Sequence, residues 1–144
     1  MRWGGHMAYK DSLGLELTGA GVGSLVFYDE ALRGLQRFVG DPVGALDRAI
    51  AADPDFLMAH ILKGYLYGLS TERAAQPVTQ ACFEAANALA GTAREKRHVA
   101  ALGALVGGHW HQASAILEDL TIDNPRDALA LQVGHQVDFF TGNA

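Results

Sequence analysis

The stretch Asp53-Pro-Asp-Phe-Leu-Met-Ala-His60-Ile-Leu-Lys-Gly64-Tyr-Leu-Tyr-Gly-Leu69 decides the fold class. Phe56, Ile61, Leu62, Tyr65 and Leu69 form a wide apolar face at helical spacing, with no strand-like alternation. Asp53-Pro54 reads as a helix start: a side-chain acceptor for free N–H groups, then a residue whose missing N–H does no harm in a first turn. Asp41-Pro42 upstream and Asn124-Pro125 downstream carry the same signal. His60 and Lys63 interrupt the run, which falls short of the ~20 apolar residues of a membrane span, so it predicts a buried helix.

Working outward, the pattern predicts an all-α chain of about seven helices. The first runs from Ser24 to Gly40 on Leu25, Tyr28, Leu32, Leu35 and Phe38, and the second from Asp41 to about Ala52. The third, opened by Asp53-Pro54, stops near Ser70. Thr71-Glu72 opens a fourth that Pro77 kinks or shortens and Gly91 ends. Thr92-Ala-Arg-Glu95 matches a capping box for the fifth, to about Val106. Gly107-Gly108 turns the chain into a sixth on Ala113, Ile116, Leu117 and Leu120. The seventh, about Arg126 to Thr141, sets Leu129, Val133, Val137 and Phe140 on one stripe before Gly142. Residues 1–23, with Gly4, Gly5, Gly14, Gly19, Gly21 and Gly23, are expected to be an irregular lead-in, and residues 24–144 the helical repeat domain.

Composition agrees. The 144 residues include 24 alanines, 49% are hydrophobic and 19% charged, below the ~25% usual for soluble domains, so the chain has a core to build. A net charge of −5 argues against nucleic acid or an anionic membrane surface as partner. Cys82 is the only cysteine, so no intrachain disulfide forms, and the start lacks the apolar run of a secretion signal. A cytoplasmic protein is expected.

Asp53-Pro54 and Asn124-Pro125 lie 71 residues apart (124 − 53), close to two 34-residue tetratricopeptide units. In that frame Gly64 and Tyr67 fall on the glycine and tyrosine positions, and Ala101 and Ala113 on the two small-residue positions. Beyond the generic repeat, Asp11-Ser-Leu-Gly-Leu15, Ala51-Ala-Asp-Pro-Asp-Phe-Leu-Met-Ala-His60, Arg94-Glu-Lys-Arg-His-Val99 and Asp127-Ala-Leu-Ala-Leu131 through His135 and Phe140 run in one order across nearly the whole chain. Together they resemble the amino-terminal part of the tetratricopeptide repeat protein 38 family. The resemblance implies an α-solenoid of tetratricopeptide-like hairpins and brings no established reaction. Members are usually longer, with further repeats, so the chain is expected to be a fragment or a shortened relative. Where members carry His-Asp, this sequence has His135-Gln136, so a role needing that acid does not carry over.

Stacked hairpins line a concave side with their first helices. By the repeat count, Met58, Ile61, Tyr65, His98, Leu102, Gln132, Gln136 and Phe139 face that side, and the expected function is a protein- or peptide-binding scaffold module without catalysis. No catalytic set, metal or cofactor is expected. The competing expectation is a small-molecule-binding or hydrolytic protein using His60, His98 and His135 as a polar cluster. His109-Trp-His111 is a poor chelate on a helix, because residues two apart point nearly opposite ways. His6 falls in the lead-in. His135 and Asp138 have base-and-carboxylate spacing, but neither Ser114 nor Cys82 has the setting of an activated nucleophile. Arg94-Glu-Lys-Arg97 reads as a solvated face, and Gly19-Ala-Gly21-Val-Gly23 as a flexible link without the features of a phosphate loop. The seventh helix lacks a partner to complete its hairpin, so either a dimer through it or a further downstream segment is expected to cover its stripe.

Overall fold

The short-range signals act where expected at two helix starts. Asp41 accepts from the Gly44 amide at 3.0 Å, with Pro42 in the first turn behind it. Thr92 and Glu95 close the capping box, the Thr92 hydroxyl accepting from the Glu95 amide at 3.2 Å and the Glu95 carboxylate from the Thr92 amide at 2.8 Å. The computed structural model describes residues 9–37 and 40–142, and within them it is all-α. The helices are α1 Val22–Arg37, α2 Pro42–Ala52, α3 Leu57–Gly68, α4 Gln76–Asn87, α5 Ala93–Val106, α6 Trp110–Asp123 and α7 Ala128–Thr141. Each packs on its neighbour in sequence, as a run of helical hairpins does. Gly142, at φ 79°, ends α7 in the left-handed cap expected of it. Phe38 and His6 lie outside the described residues.

Three boundaries differ from the sequence expectation. Asp53 and Asn124 cap the ends of α2 and α6 instead of opening the next helices, and α3 and α7 begin after Phe56 and Asp127. An Asx-Pro pair blocks continuation of the preceding helix as effectively as it permits a new one. The fourth helix starts at Gln76 and stops at Asn87. Thr71 takes a positive φ of 59°, Glu72 is extended, and a single 3-10 turn, Arg73–Ala75, precedes α4. Pro77 therefore sits in a first turn, where it displaces no hydrogen bond.

The lead-in is also more ordered than expected. β1 Tyr9–Lys10 and β2 Glu16–Leu17 pair antiparallel, and the Asp11 carboxylate accepts from the Leu13 and Leu15 amides at 2.8 and 3.0 Å to hold the turn between them. The expected flexible link is tightly confined: Gly19 has a φ of 84°, and a Cβ there would lie 1.9 Å from the Asp55 carbonyl oxygen. Thr18 accepts from the Leu57 amide at 3.2 Å, so this segment crosses the start of α3.

Small residues set the helix spacing. A Cβ on Gly64 would come within 2.6 Å of the Leu102 side chain and 3.2 Å of Cys82 Cβ, where α3, α4 and α5 meet. Ala101 and Ala113, the small positions of the repeat frame, are fully buried. The first and last helices also touch: Gln132 Nε2 of α7 donates to the Leu35 carbonyl of α1 at 3.4 Å. Among the described residues no helix is long and apolar enough to cross a membrane.

Candidate functional site

The residues expected to line a concave groove divide into two groups. Met58, Ile61, Tyr65, His98 and Leu102 are buried in the core. Gln132 and Gln136 are half-buried and Phe139 is 75% exposed. The inner side is thus mostly filled, by the approach of α1 to α7 and by Tyr28, which packs on Phe56 with ring centroids 5.1 Å apart. What stays open is a recess of about 140 Å³ lined by Leu35, Tyr65, Leu66, Leu69, Val133 and Gln136, with Ser70 at its edge.

Behind that recess lies a sealed polar network. The Tyr65 hydroxyl is 2.7 Å from His98 Nδ1, and His98 Nε2 is 2.8 Å from Asp127 Oδ2. Arg94 donates to the same Asp127 oxygen at 3.0 Å and to the Glu16 carbonyl at 2.9 Å, while Asp127 Oδ1 accepts from the Ala130 amide at 3.0 Å. An ionised Asp127 only accepts, so His98 carries its hydrogen on Nε2 and Nδ1 accepts from Tyr65. Burial works to raise the Asp127 carboxyl, but the hydrogen bond from His98, the Ala130 amide and Arg94 together hold it well below the usual carboxylate range. Burial pushes the Tyr65 and Tyr28 hydroxyls well above the ordinary phenol value.

A second cluster sits beside it. Glu95, fully buried, accepts from the Thr18 amide at 2.9 Å and the Thr18 hydroxyl at 2.5 Å while also serving the capping box. Residues 16–18 therefore bind the first turn of α5 at two adjacent side chains. The charge run Arg94–Arg97, expected as a solvated face, is split: Arg94 and Glu95 point inward, whereas Lys96 is exposed and Arg97 pairs with Asp123 at 2.8 Å. Arg94, Glu95 and Asp127 were not recognised as site residues from sequence. A usable signal was present, since Arg94 stands one turn before His98 and two before Leu102 on one stripe.

The three histidines of the competing reading have separate surroundings. His60 Nε2 lies 2.7 Å from the Pro54 carbonyl, His98 is enclosed as above, and His135 is exposed on α7. Among the described residues no group of three potential metal-ligating side chains is present. The Ser114 hydroxyl donates directly to Asp138, and among the described residues no hydrogen bond joins Asp138 to His135. That pairing leaves the carboxylate engaged with the serine instead of orienting an imidazole, the reverse of a nucleophile–base–carboxylate relay. Cys82 is buried, and burial raises its thiol above the ordinary value.

The outward surface of the last hairpin differs in character. Leu131, His135 and Phe139, one turn apart on α7, are all exposed. Ile122 on α6 is 67% exposed beside them, and a groove of about 260 Å³ runs between the two helices. Phe140 stacks edge-on against both Trp110 and Phe139, at centroid distances of 5.7 Å each. No family model and no solved structure matches the chain.

Proposed function

We propose that this chain is a tetratricopeptide-like scaffold module that binds a protein or peptide, and that its binding face is the outer side of the last hairpin. The observation that carries this reading is that Ile122, Leu131, Phe139 and Phe140, four of the six large exposed hydrophobics among the described residues, all lie on this hairpin. Isolated exposed apolar residues are ordinary; a set concentrated on one hairpin, two of them lining a groove, marks a contact surface. The repeat frame supports the tetratricopeptide identity, because Asp53-Pro54 and Asn124-Pro125 stand in the same place relative to α3 and α7, two hairpins apart. A cytoplasmic setting fits a fold that needs no disulfide.

Selection of peptides from a random display library on the purified protein tests the reading. Enriched peptides should bind the wild type and a Gln136→Ala variant alike, and lose at least ~10-fold in affinity on a Leu131→Asp/Phe139→Asp variant of unchanged helicity. Enriched peptides indifferent to Leu131 and Phe139, or no enrichment at all, would remove this face from consideration.

A further inference from the structure

The α6/α7 groove is asymmetric, and its asymmetry describes an occupant. One end is apolar, bounded by Ile122 and Leu131; the other holds Glu118, exposed, and Asp138, half-buried. Residues 110–141 contain five carboxylates, Glu118, Asp119, Asp123, Asp127 and Asp138, against one cation, Arg126. Asp127 is met by Arg94 and Asp123 by Arg97. Glu118 and Asp138 are left at the groove without a basic partner among the described residues.

Resting on the interaction reading above, we propose that this groove docks an amphipathic helix of another protein, with a leucine- or isoleucine-rich stripe over Ile122 and Leu131 and flanking lysine or arginine facing Glu118 and Asp138. Helix-in-groove recognition lays the apolar face of an amphipathic helix on an apolar track, and a charged edge selects the flanking charge. The same charges oppose a second copy. An isologous contact through α6 and α7 brings two net-acidic faces together, with Arg126 as the only arginine or lysine of residues 110–141 to offset them. The occupant that matches is a helix of opposite charge.

Three synthetic helical peptides test this: a leucine-striped helix with lysine flanks, the same stripe with glutamate flanks, and a scramble of the lysine peptide, each titrated by fluorescence anisotropy. The lysine-flanked helix should bind at least ~10-fold tighter than either control, and less tightly as salt rises. Glu118→Lys should reduce or invert that preference, and Asp138→Asn should weaken it. Glu84→Lys, on exposed α4 surface, should leave it unchanged. Equal binding of all three peptides, or a preference indifferent to Glu118, would overturn the proposal. If neither charged helix binds while library-selected peptides still depend on Leu131 and Phe139, the charge chemistry fails and the interaction face stands. A dimer in sedimentation that Leu131→Asp dissociates would make a second copy the occupant and end the proposal.

Discussion

A carboxylate enclosed as deeply as Asp127 persists in its charged form only where that charge is met, and here Arg94, the His98 ring and the Ala130 amide meet it. Removing the charge strands its partner. Asp127→Asn leaves the Arg94 guanidinium buried without a counter-ion, and a loss of about 3 kcal/mol in urea unfolding is expected. The pH dependence has a definite sign. Because the folded carboxyl lies below its unfolded value of about 3.9, its stabilisation is complete above that value and drains away as the pH falls toward the folded one. Wild-type stability should therefore fall on acidification below about pH 4, with a shallower slope in Asp127→Asn; parallel slopes would show that other carboxylates carry the acid response. Tyr65→Phe tests the far end of the network. It leaves His98 Nδ1 without its donor, and a loss of about 1–2 kcal/mol is expected at neutral pH.

At the scale of single elements, α5 shows how local and distant constraints meet in one side chain. Thr92→Ala should cost about 1 kcal/mol, since it deletes only the hydroxyl half of a cap. Gly64→Val should cost about 1–3 kcal/mol by overpacking, because its branched side chain would press on Leu102 and Cys82 across three helices; calorimetry on both variants checks these figures. Gly64 was legible in the sequence as a close-approach position, as were the capping box, the Asp41-Pro42 start and the apolar stripes, because each is written within one or two turns. The Asx-Pro pairs at 53 and 124 were legible as punctuation but not as to which helix they punctuate. Arg94 and Glu95 were legible only as charges. Their partners lie at Glu16, Thr18 and Asp127, and the separation of 77 positions from Thr18 to Glu95 leaves no local trace. The repeat count likewise told which helix faces point inward but not that another part of the chain fills the inner side, so Met58, Ile61 and Leu102 were placed at a groove when they belong to the core.

For the whole molecule, the decisive feature is that the first and last helices of the described residues are tied together. An open stack of hairpins passes stability only between neighbours and can unfold piecemeal from either end. Here residues 16–18 hold the starts of α3 and α5, Arg94 links them to the start of α7, and α1 reaches α7 through Leu35 and Gln132. These contacts span the sequence, so losing the last hairpin also releases the first. Unfolding should accordingly be a single transition. Trp110 reports on the last hairpin through its contact with Phe140, and far-ultraviolet circular dichroism reports on all the helices. With Trp3 replaced by phenylalanine to isolate the Trp110 signal, the two denaturation curves should coincide in the otherwise native chain. Glu95→Ala removes the carboxylate that holds Thr18, so the curves should separate, and hydrogen exchange should quicken at the Thr18 and Leu57 amides before it changes in α6. Coincident curves in both proteins would mean that hairpin packing alone carries the cooperativity and that the tie across the helix starts is incidental to it.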